Sequence, residues 1–166
     1  MKNLILLSLI LTLSPDAFAK CDLKKIEIGK SFSSLKEDFN FDDDFESSKE
    51  FTSNTKGKYL CDELTDTEVS SLFINKNLAQ LQIKRRSSES KLLEIAVENF
   101  GAPKELPNKE DPNLSSYSTF WDNGKTVVAY NFSYSNKNYI ETLSIQGKDF
   151  AEDISKANSV YNDKKE

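Results

Sequence analysis

The first and longest apolar run of the chain lies at its start. Residues 4–13 are apolar apart from one serine and one threonine, and Pro15 and the tripeptide Ala17-Phe18-Ala19 follow them. A lysine, an apolar run, a helix breaker and a small-residue cleavage site in this order are typical of a secretory signal peptide. The run would form a helix of about 15 Å, too short to span a bilayer. We therefore predict a cleavable signal peptide over residues 1–19.

Three later segments have apolar residues at helical spacing. A serine or aspartate precedes each and is suited to cap its first turn, and a glycine and a proline follow the second. The predicted helices run from Ser31, or from a capping box at Ser34–Glu37, to about Phe39, from Ser88 to Phe100, and over residues 149–162 from an Asp149 cap.

Other segments alternate apolar and polar residues or are rich in β-branched and aromatic residues, as strands are. Asn75-Lys76-Asn77 and Asn123-Gly124 have the composition of tight hairpin turns. The stretches Phe41–Lys56 and 102–114 are predicted loops. The predicted strands are Lys24–Gly29, Lys58–Leu64, Val69–Ile74, Leu78–Lys84, Ser116–Asp122, Lys125–Tyr134 and Asn138–Gln146.

The order of these elements repeats along the chain. We predict a single α+β domain over residues 20–166, with an antiparallel sheet from tandem αβββ units (24–86 and 87–146), helices on one face, and a C-terminal helix. Residues 75–83 and 136–145 both begin Asn-Lys-Asn and end in Ile, which supports a duplication. A single antiparallel meander with helices on one face is the alternative, and it predicts nearly the same contacts.

Two short motifs carry a resemblance to a known group of folds. Ile28-Gly29-Lys30-Ser31 leads into the first helix with Leu35, and Phe100-Gly101-Ala102-Pro103 follows the second. With the tandem αβββ order, they resemble the β-lactamase-inhibitor-like fold, which small envelope proteins of the BamE type share. The chain departs from that type because it has no lipidation signal. The resemblance implies a binding module, and it transfers no functional residue.

The two cysteines, Cys21 and Cys61, both lie in the predicted exported part. In an oxidising compartment such a pair is most simply a disulfide. It would tie the start of the domain to the strand predicted around Cys61. Two free thiols or an intermolecular bridge are the alternatives. Acylation of Cys21 is disfavoured because Lys20 occupies the position where lipoprotein processing requires a small residue.

The composition removes much catalytic equipment. There is no histidine, the commonest general base and a usual zinc ligand. We assign no catalytic residue, metal ligand or cofactor. The formal charge of −5 disfavours nucleic acid and anionic membranes as partners, since both attract basic surfaces. We expect no enzyme, although a carboxylate pair could support hydrolase chemistry.

Two groups of residues are candidates for binding. Asp42, Asp43 and Asp44 form the densest acidic run, which suits a solvated loop, a contact for a basic partner, or a calcium site without an EF-hand pattern. The second group is aromatic and lies on one face of the last three strands. It comprises Trp121, Tyr130, Tyr134 and Tyr139, which are either core residues or binding residues.

These observations favour a non-enzymatic protein-binding module of the bacterial envelope, periplasmic or secreted, and either an inhibitor or immunity-type protein or an assembly accessory. Its partner would be another envelope or secreted protein, and we predict no transmembrane segment. The alternative is a binder of a small ligand or envelope component through the aromatic sheet face. A carboxylate-based hydrolase is third. A deep apolar pocket lined by Tyr130, Tyr134 or Trp121 would favour the ligand binder, and a shallow open sheet would favour a protein partner.

Overall fold

A computed structural model describes residues 21–41, 49–103, 115–135 and 137–163 of the chain. These residues contain three α-helices and six strands, which short turns and loops connect. They are α1 (Phe32–Phe39), β1 (Glu50–Lys56), β2 (Thr67–Ile74), β3 (Asn77–Ser87), α2 (Leu92–Phe100), β4 (Ser116–Asn123), β5 (Thr126–Ser135), β6 (Asn138–Gly147) and α3 (Ala151–Asp163). The predicted signal peptide lies outside the described residues, as do Asp42, Asp43 and Asp44.

The strands form one antiparallel sheet in the order β1-β2-β3-β6-β5-β4. The predicted α+β fold with an antiparallel sheet and a C-terminal helix is therefore confirmed. Each half of the sheet is a three-stranded meander, and the halves meet where β3 pairs with β6, with Gln82 opposite Ser144. The pairing is symmetric about this point, because Leu81 lies opposite Ile145 and Ile83 lies opposite Leu143.

The sequence match that suggested a duplication falls on equivalent hairpins. Residues 75–83 hold the turn into β3, and the described part of the second stretch, residues 137–145, leads from a turn residue into β6. Lys76 and Lys137 both have positive φ, at 65° and 64°. The placement is what a duplication predicts, while the common ancestry of the halves stays a prediction.

The main core lies between one face of the sheet and the helices α1 and α2. Phe32 and Leu35 of α1, and Leu92 and Ile95 of α2, are buried against the sheet. The helix α3 packs on the opposite face, where Ile154 is buried beside residues of β2 and β3. The two helices of the αβββ units thus share one face, and the C-terminal helix lies on the other.

Two predicted strands are wrong because their residues form short turns. In Lys24–Gly29, Ile26 is buried and Ile28 is partly buried, but the first two residues belong to a 3₁₀ turn, Leu23–Lys25. The segment is not a strand of the sheet, and the Gly29 N–H donates a single hydrogen bond to the Leu78 carbonyl of β3 at 2.8 Å. Lys58–Leu64 forms two 3₁₀ turns, Gly57–Tyr59 and Asp62–Leu64. Alternation over so few residues fits a turn as well as a strand.

The first strand of the sheet was missed. Glu50–Lys56 belongs to a predicted loop, since Phe51 is the one apolar residue in its sequence. The ladder with β2 makes it a strand, with Phe51 and Ser53 buried. The remaining strands and the three helices lie close to their predicted ranges. For α1 the predicted start at Ser31 is confirmed, because Ser31 is the N-cap residue, and the alternative start at Ser34 is wrong. The helix α2 begins at Leu92, four residues after the predicted start.

The disulfide between Cys21 and Cys61 is confirmed, with Cα atoms 5.4 Å apart. Cys61 lies between the two turns that link β1 to β2, and not in a strand. The N-terminal segment is also bound to α2, because the Asn99 amide donates to the Cys21 carbonyl at 2.8 Å and accepts from the Leu23 N–H at 2.8 Å. This segment therefore links the two halves of the domain.

Candidate functional site

The face of the sheet opposite α1 and α2, here called the open face, carries mostly short or polar side chains. Side chains alternate along each strand, so the register places cross-strand rows on this face. One row is Asn54, Ser70, Gln82, Ser144, Ala129 and Phe120. The next is Lys56, Glu68, Lys84, Thr142, Asn131 and Ser118. The face thus offers many hydrogen-bonding groups and few apolar ones.

A trough follows the strands over the β1–β3 side of the open face. Its largest part is a cavity of about 650 Å³, lined by residues that include Asn54, Gln82 and Tyr59. A cavity of about 530 Å³ continues it to Ala157 of α3. A third of about 400 Å³ extends it past Arg86. Shared lining residues join the three cavities into one shallow groove.

One end of the trough is rich in cations. Its exposed basic side chains are Lys56, Lys58, Lys84 and Arg86, and its acidic ones are Asp66 and Glu68. Lys56 and Lys84 flank Glu68 across the strands. Neither lysine forms an ion pair with another residue in the described part of the chain. This cationic end contrasts with the chain's charge of −5.

The aromatic candidates lie on the other face, in or beside the core. Tyr130 is fully buried and Trp121 is 7% exposed. The Trp121 indole N–H donates to the Gly101 carbonyl at 2.8 Å. Neither ring therefore has surface for a ligand. Tyr139 is partly buried and contacts Tyr134, whose ring is 44% exposed, so Tyr134 is the one of the four that is open to a partner.

A buried carboxylate was missed by the sequence analysis. Glu141 is fully buried in β6 and faces the core. Its oxygens accept hydrogen bonds from the Tyr130 hydroxyl at 2.8 Å, the Ser90 hydroxyl at 2.9 Å, and the backbone N–H groups of Lys91 and Leu92 at 2.9 and 3.1 Å. The Arg85 guanidinium lies 3.8 Å away. Glu141 thus caps the start of α2 from the sheet.

This network is buried, and it holds the start of α2 against the sheet. Every bond that Glu141 accepts comes from the protein, and the side chain has no solvent-accessible surface. Burial, and then the neighbouring Glu141 carboxylate, raise the pKa of Tyr130 far above its ordinary range. The hydroxyl therefore stays protonated and continues to donate. The only signal in the sequence was a lone Glu at an inward position of a strand that is otherwise apolar on that face.

The predicted acidic contact at Asp42, Asp43 and Asp44 stays a prediction, because these residues lie outside the described part. Within the part that is described, no group of three or more metal-binding side chains is close enough to hold an ion. None of the helices there is long and apolar enough to cross a membrane. The chain matches no protein-family model, and comparisons with curated proteins and with solved structures find no match.

Proposed function

We propose that the chain is a non-enzymatic binding module exported to the bacterial envelope, and that its trough binds an acidic segment of another exported protein. The observation that carries the proposal is the cationic end of the trough on an otherwise acidic chain. Opposite potentials across an interface steer encounter and set specificity. A cationic groove would therefore select an acidic segment over the many other surfaces in the envelope.

The dimensions of the trough suit an extended peptide. It runs along β3 from Gln80 to Arg86, past four alternate residues of that strand. Alternate residues of a strand are about 7 Å apart, so the trough is about 20 Å long. An extended chain covers this with about six residues. Asn54, Ser70 and Gln82 in its middle can bond to peptide groups, which every extended segment presents.

A small ligand is the second candidate, and the volume of the main cavity favours it. Drug-sized ligands bind in pockets of about 300–1,000 Å³, which includes the 650 Å³ found here. Such pockets are enclosed and mostly apolar, whereas this one is shallow and lined by amide and charged side chains. The lining therefore supports the protein partner more than the small ligand.

The test is site-specific photo-crosslinking in the cells that produce the protein. A photoreactive residue replaces Gln82, and the crosslinked adducts are compared between two charge-reversed backgrounds. Lys56→Glu with Lys84→Glu reverses the trough, and Lys24→Glu with Lys125→Glu makes the same change in net charge at exposed sites elsewhere. We expect one discrete protein adduct in the unchanged and control backgrounds, and about tenfold less in the trough background.

Two outcomes would contradict the proposal. An adduct that is equally strong in both charge-reversed backgrounds would show that the cations do not select the partner. No protein adduct at all, with tight binding of a small anionic metabolite that Lys56→Glu abolishes, would establish the small-ligand reading instead.

A further inference from the structure

In each of the two edge strands, β1 and β4, alternate residues direct their backbone N–H and carbonyl groups away from the sheet. The register of each strand identifies these residues. The Tyr134 N–H donates to the Ser115 carbonyl at 2.7 Å, so residues 115 and 134 are a hydrogen-bonded pair. In an antiparallel ladder such pairs recur at every second residue. The backbone groups of Tyr117, Thr119 and Trp121 therefore point to β5. Those of Ser118, Phe120 and Asp122 point away from the sheet.

The strand β4 itself, Ser116–Asn123, lacks four of the features that prevent strand addition at natural edges. Natural edges are protected by lysine, proline, bulges or very short strands. β4 has eight residues, an unbroken register with β5, no lysine and no proline. Its one charged side chain, Asp122, is bound to Lys148 at 2.6 Å. β1, at the other edge, has a charged residue at each end, Glu50 and Lys56.

An apolar side chain stands at the centre of this edge. Phe120 is 66% exposed on the open face, more than Tyr59 or Tyr134, the other large exposed rings in the described part. Its cross-strand partner Ala129 is small, and Val127 is its diagonal neighbour on β5. Together they form an apolar patch beside the outward backbone groups of β4.

We propose that β4 pairs with β4 of a second copy of this chain, antiparallel and centred on Phe120, so that two sheets join into one. The strand is complementary to itself in this register. Phe120 faces the Phe120 of the other copy, with Cβ atoms about 5 Å apart. Ser118 faces Asp122 of that copy, a hydroxyl donor against a carboxylate acceptor.

This register places no two like charges opposite each other, and it gives a closed dimer instead of an open-ended assembly. Asp122 never faces Asp122, and each copy contributes the same patch, as an isologous two-fold interface requires. The two apolar patches join across the axis and leave water together. The trough lies over β1–β3 at the far side of each sheet, so the pairing leaves it accessible and does not depend on the proposed function.

The test combines a mutation at the edge with a measurement of assembly. The purified protein, with its disulfide formed, is followed by sedimentation velocity over a micromolar dilution series. Ser118→Pro removes an N–H that points outward, so it leaves the ladder with β5 intact. Thr52→Pro is the matched control, because the Asn75–Lys49 bond places the Thr52 N–H outward on the β1 edge. Urea denaturation verifies that each variant is folded.

We expect a dimer whose dissociation constant rises about tenfold or more in Ser118→Pro, since two interchain bonds are lost. Phe120→Ser should weaken the dimer by a similar factor while it leaves the backbone hydrogen bonds unchanged. If Ser118→Pro does not fold, the Phe120→Ser variant provides the test. Thr52→Pro should have no effect. Amide exchange should slow at Ser118, Phe120 and Asp122 only at dimer-forming concentrations.

Three results would overturn the proposal. One is a monomer at every concentration. Another is a dimer that neither Ser118→Pro nor Phe120→Ser weakens. The third is open-ended growth that Thr52→Pro stops, because pairing of β4 with β1 gives a filament and not a closed pair.

Discussion

The first half of the domain fills its core with phenylalanine rings, whereas the second half is built around a buried carboxylate. Phe73 contacts Phe32, Phe41 and Phe51, with ring centroids 5.0–5.5 Å apart. In the second half, Tyr130 bonds to Glu141, which in turn caps α2. One backbone plan therefore supports two different kinds of core.

The register makes the comparison residue by residue. Equivalent core positions of the two halves hold Val69 and Val128, Phe73 and Phe132, Leu81 and Leu143, and Ile83 and Ile145. The largest difference between the halves is at one equivalent position, which holds Ser71 in the first half and Tyr130 in the second. Ser71 is buried and its hydroxyl has no partner in the described part, while the Tyr130 hydroxyl donates to Glu141.

The two helices also start differently. The first N–H of α1, at Phe32, donates to the Lys76 carbonyl of the β2–β3 turn at 2.8 Å. The first N–H groups of α2 donate to the Glu141 carboxylate. A helix N-terminus attracts negative charge, and a carboxylate satisfies it more strongly than a carbonyl does. The second half thus gains a defined helix position, while it must keep a charge out of water.

The largest expected effect is in the phenylalanine core. Phe73→Ala should lower the free energy of unfolding by about 3–5 kcal/mol, because it leaves a cavity among three rings. Phe132→Ala, at the equivalent position, should cost less, since Phe132 is 8% exposed at the rim of its core. Urea denaturation of both variants checks this. Equal losses would mean that the two cores are packed alike.

The disulfide gives the next largest effect, because it holds the segment that joins the halves. Replacing Cys21 and Cys61 together by Ala should cost about 2–4 kcal/mol, since the closed loop constrains the unfolded chain. Asn99→Ala, which detaches the same segment from α2, should cost about 1–3 kcal/mol. Thermal denaturation of the three proteins measures both. If Asn99→Ala cost more, the link to the second half would be the stronger one.

Glu141 comes third. Glu141→Gln keeps the shape of the side chain but removes the charge and one acceptor, so about 1–3 kcal/mol should be lost. Glu68→Gln on the open face is the matched control and should change stability by less than about 0.5 kcal/mol. Loss of α2 helicity should accompany the first change, as measured by amide exchange. Unchanged exchange in α2 would show that the carboxylate does not determine where the helix starts.

The sequence predicted the second half of the fold better than the first. The strands of β4–β6 alternate over eight residues or more and carry Val, Tyr and Phe, so their period is clear. The Asn75-Lys76 turn has positive φ at both residues, which its composition predicts for Asn75 but not for Lys76. The segment β1 forms a strand because it pairs with β2. Such tertiary contributions to strand formation cannot be recognised in the sequence of the segment itself.

The candidate site was predicted less well, for a related reason. A single strand shows which residues share a face, but not which face the helices cover. The sequence therefore favoured a core position for Tyr130 and Trp121 but left binding open as the alternative. The trough draws Lys56, Lys84 and Arg86 from different strands, and no local pattern joins them. The cap by Glu141 connects a strand to a helix about fifty residues earlier, as its bond to Lys91 shows.

The smallest effect at neutral pH, and the sharpest in its pH dependence, belongs to Tyr130. Tyr130→Phe removes one hydrogen bond and should cost about 0.5–1.5 kcal/mol at pH 7. Burial and Glu141 hold the pKa of Tyr130 in the folded state above the value of about 10 that tyrosine has in an unfolded chain. The protonated hydroxyl therefore makes its full contribution to the free energy of unfolding below about pH 10. Above pH 10 this contribution falls by about 1.4 kcal/mol per pH unit.

The alkaline slope of stability consequently distinguishes the two cores. Urea denaturation at a series of alkaline pH values gives the free energy of unfolding as a function of pH. In Tyr130→Phe this free energy should fall less steeply, by the contribution of one proton, which is about 1.4 kcal/mol per pH unit. Phe132→Leu, a neighbouring substitution without an ionisable group, should lower stability equally at each pH and leave the slope unchanged. A Tyr130→Phe slope equal to that of the unchanged protein would mean that the hydroxyl ionises in the folded state. The second core would then tolerate a negative charge beside Glu141, and its polar network would be open to solvent instead of closed.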